Sequence, residues 1–416
     1  MRAPFVLFAL CWSLSGAAGP DSCIACHSAI EEGKGPASII KNDIHISHGL
    51  SCADCHGGDR TSEDPEVSMN KAKGFKGRPA RTEIPKFCGA CHSNPDYMRK
   101  FAPRERVDQL ELYQTSVHGK RLASGDIKVA TCIDCHSVHD IRAVKDSMSP
   151  VHPLRVADTC SHCHSDKERM AQYKIPTNQY AEYRTSVHWQ AMTKRGDLSA
   201  PSCASCHGNH GAKPPQVESI SEVCGTCHVL FEQLYNRSPH QAVFSTAGGG
   251  GGCVVCHSNH GIHTPDTGML AGPSSICAPC HDAGSPQSNT AVQMAGWING
   301  LDSAIKHSET VLAEAEKSGM EISEAQVRLL DGRENLVKAR LALHAMQPEQ
   351  MRIPIDAGMT VARETLQAGQ AALRERDFRR YGLGVSVILI AIAILAIRGL
   401  IRRIESNSDT AQDSAD

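Results

Sequence analysis

The sequence contains nine copies of one pentapeptide pattern, Cys-x-x-Cys-His. Two thiols at this spacing can each form a thioether to the edge of one porphyrin, and the imidazole of the next residue can then bind the iron. The pattern is the attachment signature of c-type haem. The sequence therefore predicts nine covalently bound haem c groups, each with one iron.

The nine motifs, numbered 1 to 9 in chain order, use eighteen of the nineteen cysteines and leave only Cys11. The predicted thioether-forming residues are Cys23, Cys26, Cys52, Cys55, Cys88, Cys91, Cys132, Cys135, Cys160, Cys163, Cys203, Cys206, Cys224, Cys227, Cys253, Cys256, Cys277 and Cys280. The predicted proximal iron ligands are His27, His56, His92, His136, His164, His207, His228, His257 and His281.

Zinc binding is the main competing interpretation, because paired Cys-x-x-Cys sequences also build tetrahedral zinc sites. Zinc gives no reason for a histidine directly after the second cysteine in all nine motifs. A framework of disulfides fails on the same point. Haem attachment therefore explains the pattern best.

The motifs recur in pairs together with further histidines. The blocks Tyr113-Gln-Thr-Ser-Val-His118 and Tyr183-Arg-Thr-Ser-Val-His188 precede motifs 4 and 6, and Ser238-Pro-His240 precedes motif 8. In each of these three repeats a histidine also follows the first motif. The pattern predicts two-haem units at 113–164, 183–228 and 238–281.

A degenerate unit is predicted at 45–92, in front of the three regular repeats. His45 and His48 precede motifs 2 and 3, but Gly57-Gly58-Asp59 stands where the downstream histidine is expected. Motif 1 then forms an unpaired site at the front.

A six-coordinate haem iron needs a second axial ligand, and the repeats supply candidates in register. The predicted distal ligands are His45, His48, His118, His139, His188, His210, His240 and His260. The ninth distal ligand stays open between His152, His263 and none, with His162 disfavoured because it lies inside its own attachment loop. His307 and His344 belong to the later helical region and are predicted to be surface or packing residues.

Both ends of the chain indicate export and membrane anchoring. Residues 1–18 are typical of a signal peptide, with Arg2, an apolar run and small residues up to Ala18. Residues 381–401 form an apolar segment of about the length that spans a bilayer. Arginine pairs flank it at 379–380 and 402–403. We predict a single-pass protein of the bacterial inner membrane, with the haem domain in the periplasm and a cytoplasmic tail at 402–416.

The composition predicts a fold that is mainly α with much irregular structure. Aromatic residues are only 4% of the chain, so porphyrins must supply much of the buried apolar surface of the haem domain, 19–285. Residues 290–380 instead show helical periodicity and predict a stalk. It comprises two antiparallel helices, with breaks at Gly319 and Pro348, and a third helix from about Ile355 into the membrane segment. A net charge of −2 excludes a nucleic-acid partner.

The chain resembles membrane-anchored periplasmic multihaem cytochromes c, which are related to small tetrahaem and pentahaem electron carriers. The resemblance rests on the Tyr-x-x-Ser-Val-His blocks and on Cys203-Ala-Ser-Cys-His-Gly-Asn-His-Gly, and it covers Cys23 to His281. It implies closely packed, mostly bis-histidine haems that pass electrons between a membrane quinol pool and periplasmic or extracellular acceptors.

The expected partners are a quinol-oxidising or cytochrome b subunit in the membrane and redox proteins of the periplasm or outer membrane. The stalk could also join two copies of the chain as a homo-oligomer. We predict an electron carrier and no enzyme. The alternative is a multihaem oxidoreductase of the nitrite or hydroxylamine type, whose catalytic haem keeps an open position. The sequence lacks a Cys-x-x-Cys-Lys variant and has little chain between motifs to build a substrate pocket.

Overall fold

The computed structural model describes residues 21–30, 34–215, 220–246 and 251–412. The predicted signal peptide, Cys11 and the last four residues of the tail lie outside these ranges. The described ranges are 65% helical, and no β-strand occurs in them. The prediction of a mainly α fold is confirmed.

The chain divides into two compact units. The first comprises the described residues of Met1–Gln216 and Ser258–Thr264, and the second those of Val217–His257 and Pro265–Asp416. Motifs 1 to 6 belong to the first unit, and motifs 7 to 9 belong to the second with the C-terminal helices. The division thus lies within the predicted haem domain, 19–285, instead of at its end.

The first unit consists of short helices joined by turns, because Pro, Gly and Ser interrupt the chain every few residues. The longest has twelve residues. Its helices are α1 (Ser22–Ile30), α2 (Pro36–Ile39), α3 (Ile44–Ser47), α4 (Cys52–His56), α5 (Pro65–Ser68), α6 (Ile84–His92), α7 (Pro95–Met98), α8 (Gln109–Thr115), α9 (Val117–Ala123), α10 (Cys132–His136), α11 (Pro153–His164), α12 (Lys167–Ala171), α13 (Gln179–Thr185), α14 (Val187–Lys194) and α15 (Cys203–His207).

The second unit begins with four short helices and ends with three long ones. They are α16 (Ile220–Gly225), α17 (Val229–Tyr235), α18 (Pro239–Thr246), α19 (Gly252–His257), α20 (Pro286–Lys317), α21 (Ser323–Ala342) and α22 (Pro348–Gln412). Short 3-10 helices lie at Ile40–Asn42, Lys71–Lys73, Thr267–Met269 and Leu343–Ala345 of the two units.

The three long helices form a bundle with its own apolar core. Leu301, Leu312 and Met351 are at most 1% exposed. Ser308 of α20 and Thr365 of α22 share a buried hydrogen bond of 2.8 Å, which satisfies both hydroxyls inside the core. The helices run up, down and up, so the first two are antiparallel, as predicted for the stalk.

The boundaries of the bundle follow from proline and glycine. Gly319 has φ +78° just after α20, a conformation that glycine adopts without a steric penalty. The third helix begins at Pro348, so the predicted start near Ile355 is wrong by about two turns. Pro348 starts the helix instead of breaking it, because the first helical residue needs no N–H partner.

Helix α22 runs without interruption into the predicted membrane segment. It has 65 residues, and the part Pro348–Ile404 includes a stretch long and apolar enough to cross a membrane. That stretch is not buried against the rest of the chain. The predicted segment 381–401 lies within Pro348–Ile404, and the helix continues into the tail as far as Gln412.

Candidate haem-ligand sites

Motifs 2, 4 and 6 each occupy a single turn of helix. Helices α4, α10 and α15 each begin at the first cysteine of motifs 2, 4 and 6 and end at the histidine. Positions i, i+3 and i+4 lie on one helical face, so both thiols and the imidazole point the same way. A capping box starts each of these helices; in α4, the Ser51 N–H donates to Asp54 Oδ2 at 2.7 Å.

A sharp turn follows each of these three motif helices and also α19, which ends at the histidine of motif 8. The residues after the motif histidines, Gly57, Ser137, Gly208 and Ser258, have φ of 71°, 71°, 81° and 64°. Such values end a right-handed helix and redirect the chain. The second histidine of Cys-x-x-Cys-His-x-x-His therefore leaves the face of its own motif and reaches a different one.

The described residues include seven close pairs of histidines, each with one motif histidine. The ring centroids are separated by 5.8 Å in His45–His92, 6.1 Å in His56–His139, 6.2 Å in His118–His164, 6.0 Å in His136–His210, 6.1 Å in His207–His260, 6.1 Å in His240–His281 and 6.1 Å in His257–His344. Six pairs join a predicted proximal ligand to a predicted distal ligand.

These separations suit one iron between two imidazoles. A metal-bound imidazole nitrogen lies about 2.0–2.1 Å from the metal and about 1.1 Å from its ring centre, so centroids of opposed axial ligands are about 6.2–6.4 Å apart. Aromatic contacts in general spread over about 4.5–7 Å. The seven separations span only 5.8 to 6.2 Å, so they lie at or slightly below the distance for axial ligands and vary much less than ordinary ring packing does.

The pairs fall into two classes that the sequence repeats do not reveal. Histidines upstream of a repeat pair with its second motif, as in His118–His164, at interplanar angles of 56° to 80°. Histidines downstream of a first motif pair with the first motif of the preceding repeat, as in His136–His210. Their interplanar angles are 9° to 32°.

The open question of the ninth distal ligand has an unexpected answer in the geometry. His152 is 7% exposed, and its Nδ1 accepts the Leu154 N–H at 3.3 Å, which caps α11. His263 is on the surface. His344, predicted to be a surface or packing residue, instead lies opposite His257 at an interplanar angle of 18°. Sequence reasoning missed it because it lies outside every repeat.

His48 and His188 are the two remaining predicted distal ligands. His48 is exposed, and its ring centroid is 6.4 Å from that of Phe101. His188 is the second residue of α14, which Ser186 caps. The ligand role of both residues stays a prediction.

For nine of the paired imidazoles, burial lowers the pKa and so favours the neutral form, which is the form that binds iron. Burial, followed by the neighbouring imidazoles of His210 and His92, lowers the pKa of His136 to about 4. Burial lowers the pKa of His92, His118, His164, His210, His240, His257, His260 and His344 as well. Hydrogen bonds at Nδ1 orient some rings further; that of His56 donates to Gly77 O at 2.9 Å.

The Tyr-x-x-Ser-Val-His blocks position histidines and tie repeats together. Ser116 Oγ caps α9 by accepting the Gly119 N–H, and Tyr113 Oη donates to Ala130 O, two residues before motif 4. The Val117 N–H donates to Ala212 O, two residues after His210 of the next repeat. The equivalent bonds in the other repeats are Tyr183 Oη to Pro201 O, Val187 N to Ile262 O and Ile44 N to Ile141 O.

The comparisons with known proteins agree with this geometry. Residues 44–165, which contain motifs 2 to 5, match the family model described as Cytochrome c3. The chain is a multihaem c-type cytochrome. The "Multiheme cytochrome MtrA" of Shewanella baltica (strain OS185) is 24% identical over 221 residues, 50% of this chain and 53% of that protein. The chain thus spans about half the length of this curated relative. No solved structure matches it significantly.

Within each unit, the thiols of successive motifs of the cytochrome interact in chain order. The first cysteines of two successive motifs are hydrogen-bonded in Cys88–Cys132, Cys160–Cys203 and Cys224–Cys253, which in each case joins the second motif of one repeat to the first motif of the next. Other thiols of successive motifs interact electrostatically in Cys23–Cys52, Cys55–Cys91, Cys135–Cys163 and Cys256–Cys277. Within each unit the motifs therefore form a row in chain order, motifs 1 to 6 in the first unit and motifs 7 to 9 in the second.

Proposed function

We propose that this multihaem cytochrome is a nonahaem electron carrier. It would be anchored in the bacterial inner membrane by α22, with its haem-binding part in the periplasm. It would carry electrons between a quinol-oxidising or cytochrome b partner in the membrane and periplasmic or extracellular acceptors. The nine attachment motifs support the number of haems, and the apolar part of α22 supports the anchor.

The paired imidazoles are the observation that carries the proposal. When bound, haem iron supplies reversible one-electron oxidation and reduction. A pair such as His136–His210 would occupy both axial positions and leave no place for a small-molecule substrate. Rings held by helix ends and backbone bonds also need to move little when the charge of the site changes. Both properties favour a carrier over a reductase, which needs an open position.

The row of motifs in each unit supports electron transfer from one haem to the next in chain order. Thiols that form thioethers lie at the porphyrin edge, so contacts such as Cys88–Cys132 would bring the edges of successive porphyrins together. In the first unit the order would be motifs 1 to 6. In the second unit it would be motifs 7 to 9.

Two measurements on the purified full-length protein test the carrier proposal. Pyridine haemochrome quantitation should give nine haems per chain. Electron paramagnetic resonance of the oxidised protein should show low-spin iron, unchanged by nitrite or cyanide. A high-spin signal altered by nitrite would contradict the carrier and favour the multihaem oxidoreductase. A haem content well below nine would refute the stoichiometry.

A truncation tests the membrane anchor separately. A variant ending at Arg380 lacks the apolar segment but keeps every motif and most of the bundle. It should be released with the soluble periplasmic fraction at unchanged haem content, whereas the full chain should need detergent. The haem-binding part of the full chain should be cleaved by protease added to spheroplasts. A truncated protein that stays in the membrane would contradict anchoring by α22.

A further inference from the structure

Motif 8 has no partner of the usual kind in the sequence. In motifs 2, 4 and 6 the histidine is paired with the downstream histidine of the following repeat, namely His139, His210 and His260. Motif 8 opens the last repeat, and no further Cys-x-x-Cys-His follows motif 9. A ligand for its iron must therefore come from a different kind of segment.

His344 occupies that place. Its ring centroid lies 6.1 Å from that of His257, and the interplanar angle is 18°. The corresponding values are 6.0 Å and 9° for His136–His210, and 6.1 Å and 15° for His207–His260. The pairs made by upstream histidines have much larger interplanar angles, of 56° or more. His344 thus reproduces the geometry of the downstream class from an unrelated part of the chain.

The surroundings of His344 fix which ring nitrogen faces motif 8. Its Nδ1 lies 3.2 Å from the carbonyl oxygens of Arg340 and Leu341, at the end of α21. Carbonyl oxygens only accept hydrogen bonds, so Nδ1 carries the proton and Nε2 keeps its lone pair. Phe231 meets the ring edge-on, with centroids 4.8 Å apart at 88°, and limits its rotation.

The backbone around His344 is anchored in the bundle core. The residue lies in the 3-10 turn Leu343–Ala345 between α21 and α22, and the following Ala345 is fully buried. Met346 closes the turn at φ +52°, a left-handed conformation that is uncommon outside glycine. Packing therefore holds the imidazole in position without help from the metal, as a preorganised ligand requires.

We propose that His344 Nε2 is the distal axial ligand of the iron attached through Cys253, Cys256 and His257. This assignment rests on the proposed haem-carrying function and goes beyond it. The bundle would then be part of the haem protein and not only a stalk, because its α21–α22 turn completes one of the sites.

The test compares His344→Ala with His307→Ala in the full-length haem-loaded protein. His307 is an exposed histidine of α20 in the same bundle, which makes it the matched control. His344→Ala should convert one low-spin haem to a high-spin, cyanide-binding haem at unchanged haem content. Added imidazole should restore the low-spin spectrum. His307→Ala should leave the spectrum as it is.

The outcomes separate this assignment from the carrier proposal. A His344→Ala protein with the spectrum of the unaltered chain would overturn the assignment and leave the carrier intact. The unaltered chain could already contain a high-spin haem. In that case one additional high-spin haem per chain in His344→Ala would still support the assignment of His344 as a ligand, and an unchanged number would overturn it.

If His344→Ala does not accumulate, His344→Met provides the second variant. Its iron should stay low-spin with a raised midpoint potential, because methionine ligation raises the potential. Unchanged potentials would overturn the assignment.

Discussion

Asp43 should set the potential of the haem at motif 3. It caps α3 at the position that Ser116 and Ser186 hold in the regular repeats. Only 4% of the residue is exposed. Its Oδ1 accepts from His45 Nδ1 at 2.8 Å, and its Oδ2 accepts the Ile141 N–H at 2.8 Å. Burial opposes its ionisation, but the hydrogen bonds from His45 and Ile141 outweigh burial and lower the pKa of Asp43.

The size of the effect follows from the distance between charges. From the carboxylate through the 2.8 Å hydrogen bond and across the His45 ring, the path to an axially bound iron is about 7 Å. A unit charge at that distance contributes about 2.4 kcal/mol at an effective dielectric constant of about 20. The oxidised site carries one more positive charge, so the carboxylate favours it. Asp43→Asn should therefore raise the midpoint potential by about 100 mV, because each tenfold change in the equilibrium constant of a one-electron couple corresponds to about 59 mV.

Potentiometric titration with optical detection measures this shift. Asp43→Ser, which installs the residue of the regular repeats, should give a similar increase. Ser116→Ala is the matched control, because it removes the cap of α9 without removing a charge. A shift of Asp43→Asn below about 20 mV, or one towards lower potential, would refute the electrostatic argument.

Two further changes test the turns and caps of the motifs. Gly57→Ala should destabilise the fold by more than Gly208→Ala; both positions have positive φ, but a Cβ at Gly57 would collide with Gly74 O, whereas at Gly208 the nearest atom is 3.4 Å away. Chemical denaturation followed by circular dichroism compares the two, and equal costs would contradict the collision. For Asp134, burial is outweighed by the Arg81 hydrogen bonds, which lower its pKa. Its stabilisation should be complete above about pH 4 and disappear as the pH falls through the lower folded pKa. Chemical denaturation at several pH values measures this effect. Asp134→Ser, which copies the cap of motif 6, should remove this part of the pH dependence of the unfolding free energy. An unchanged pH dependence would exclude Asp134 as its source.

Local geometry explains what could be predicted of the sites. In motifs 2, 4 and 6 the residues lie within one helical turn, so their spacing alone places two thiols and an imidazole on one face. The Ser-Val-His register likewise reflects a local cap, since Ser116 Oγ binds a backbone N–H three residues further on. The bundle was predictable for the same reason, because its apolar positions recur with the helical period.

The pairing of the histidines required the tertiary structure. His139 is three residues from His136 but lies against His56, because the left-handed turn at Ser137 redirects the chain. No sequence pattern encodes which distant motif such a residue meets. His152 was a reasonable candidate by position, yet its ring is used to cap a helix.

The sequence by itself determined the cofactor class, the number of attachment motifs, the helical character and the apolar C-terminal segment, because each depends on neighbours along the chain. The tertiary structure decided which imidazoles face each other, the order of motifs within each unit and the position of His344 opposite His257. Axial ligation needs two rings about 6 Å apart on separate segments. Only the packing of turns and helices sets that distance.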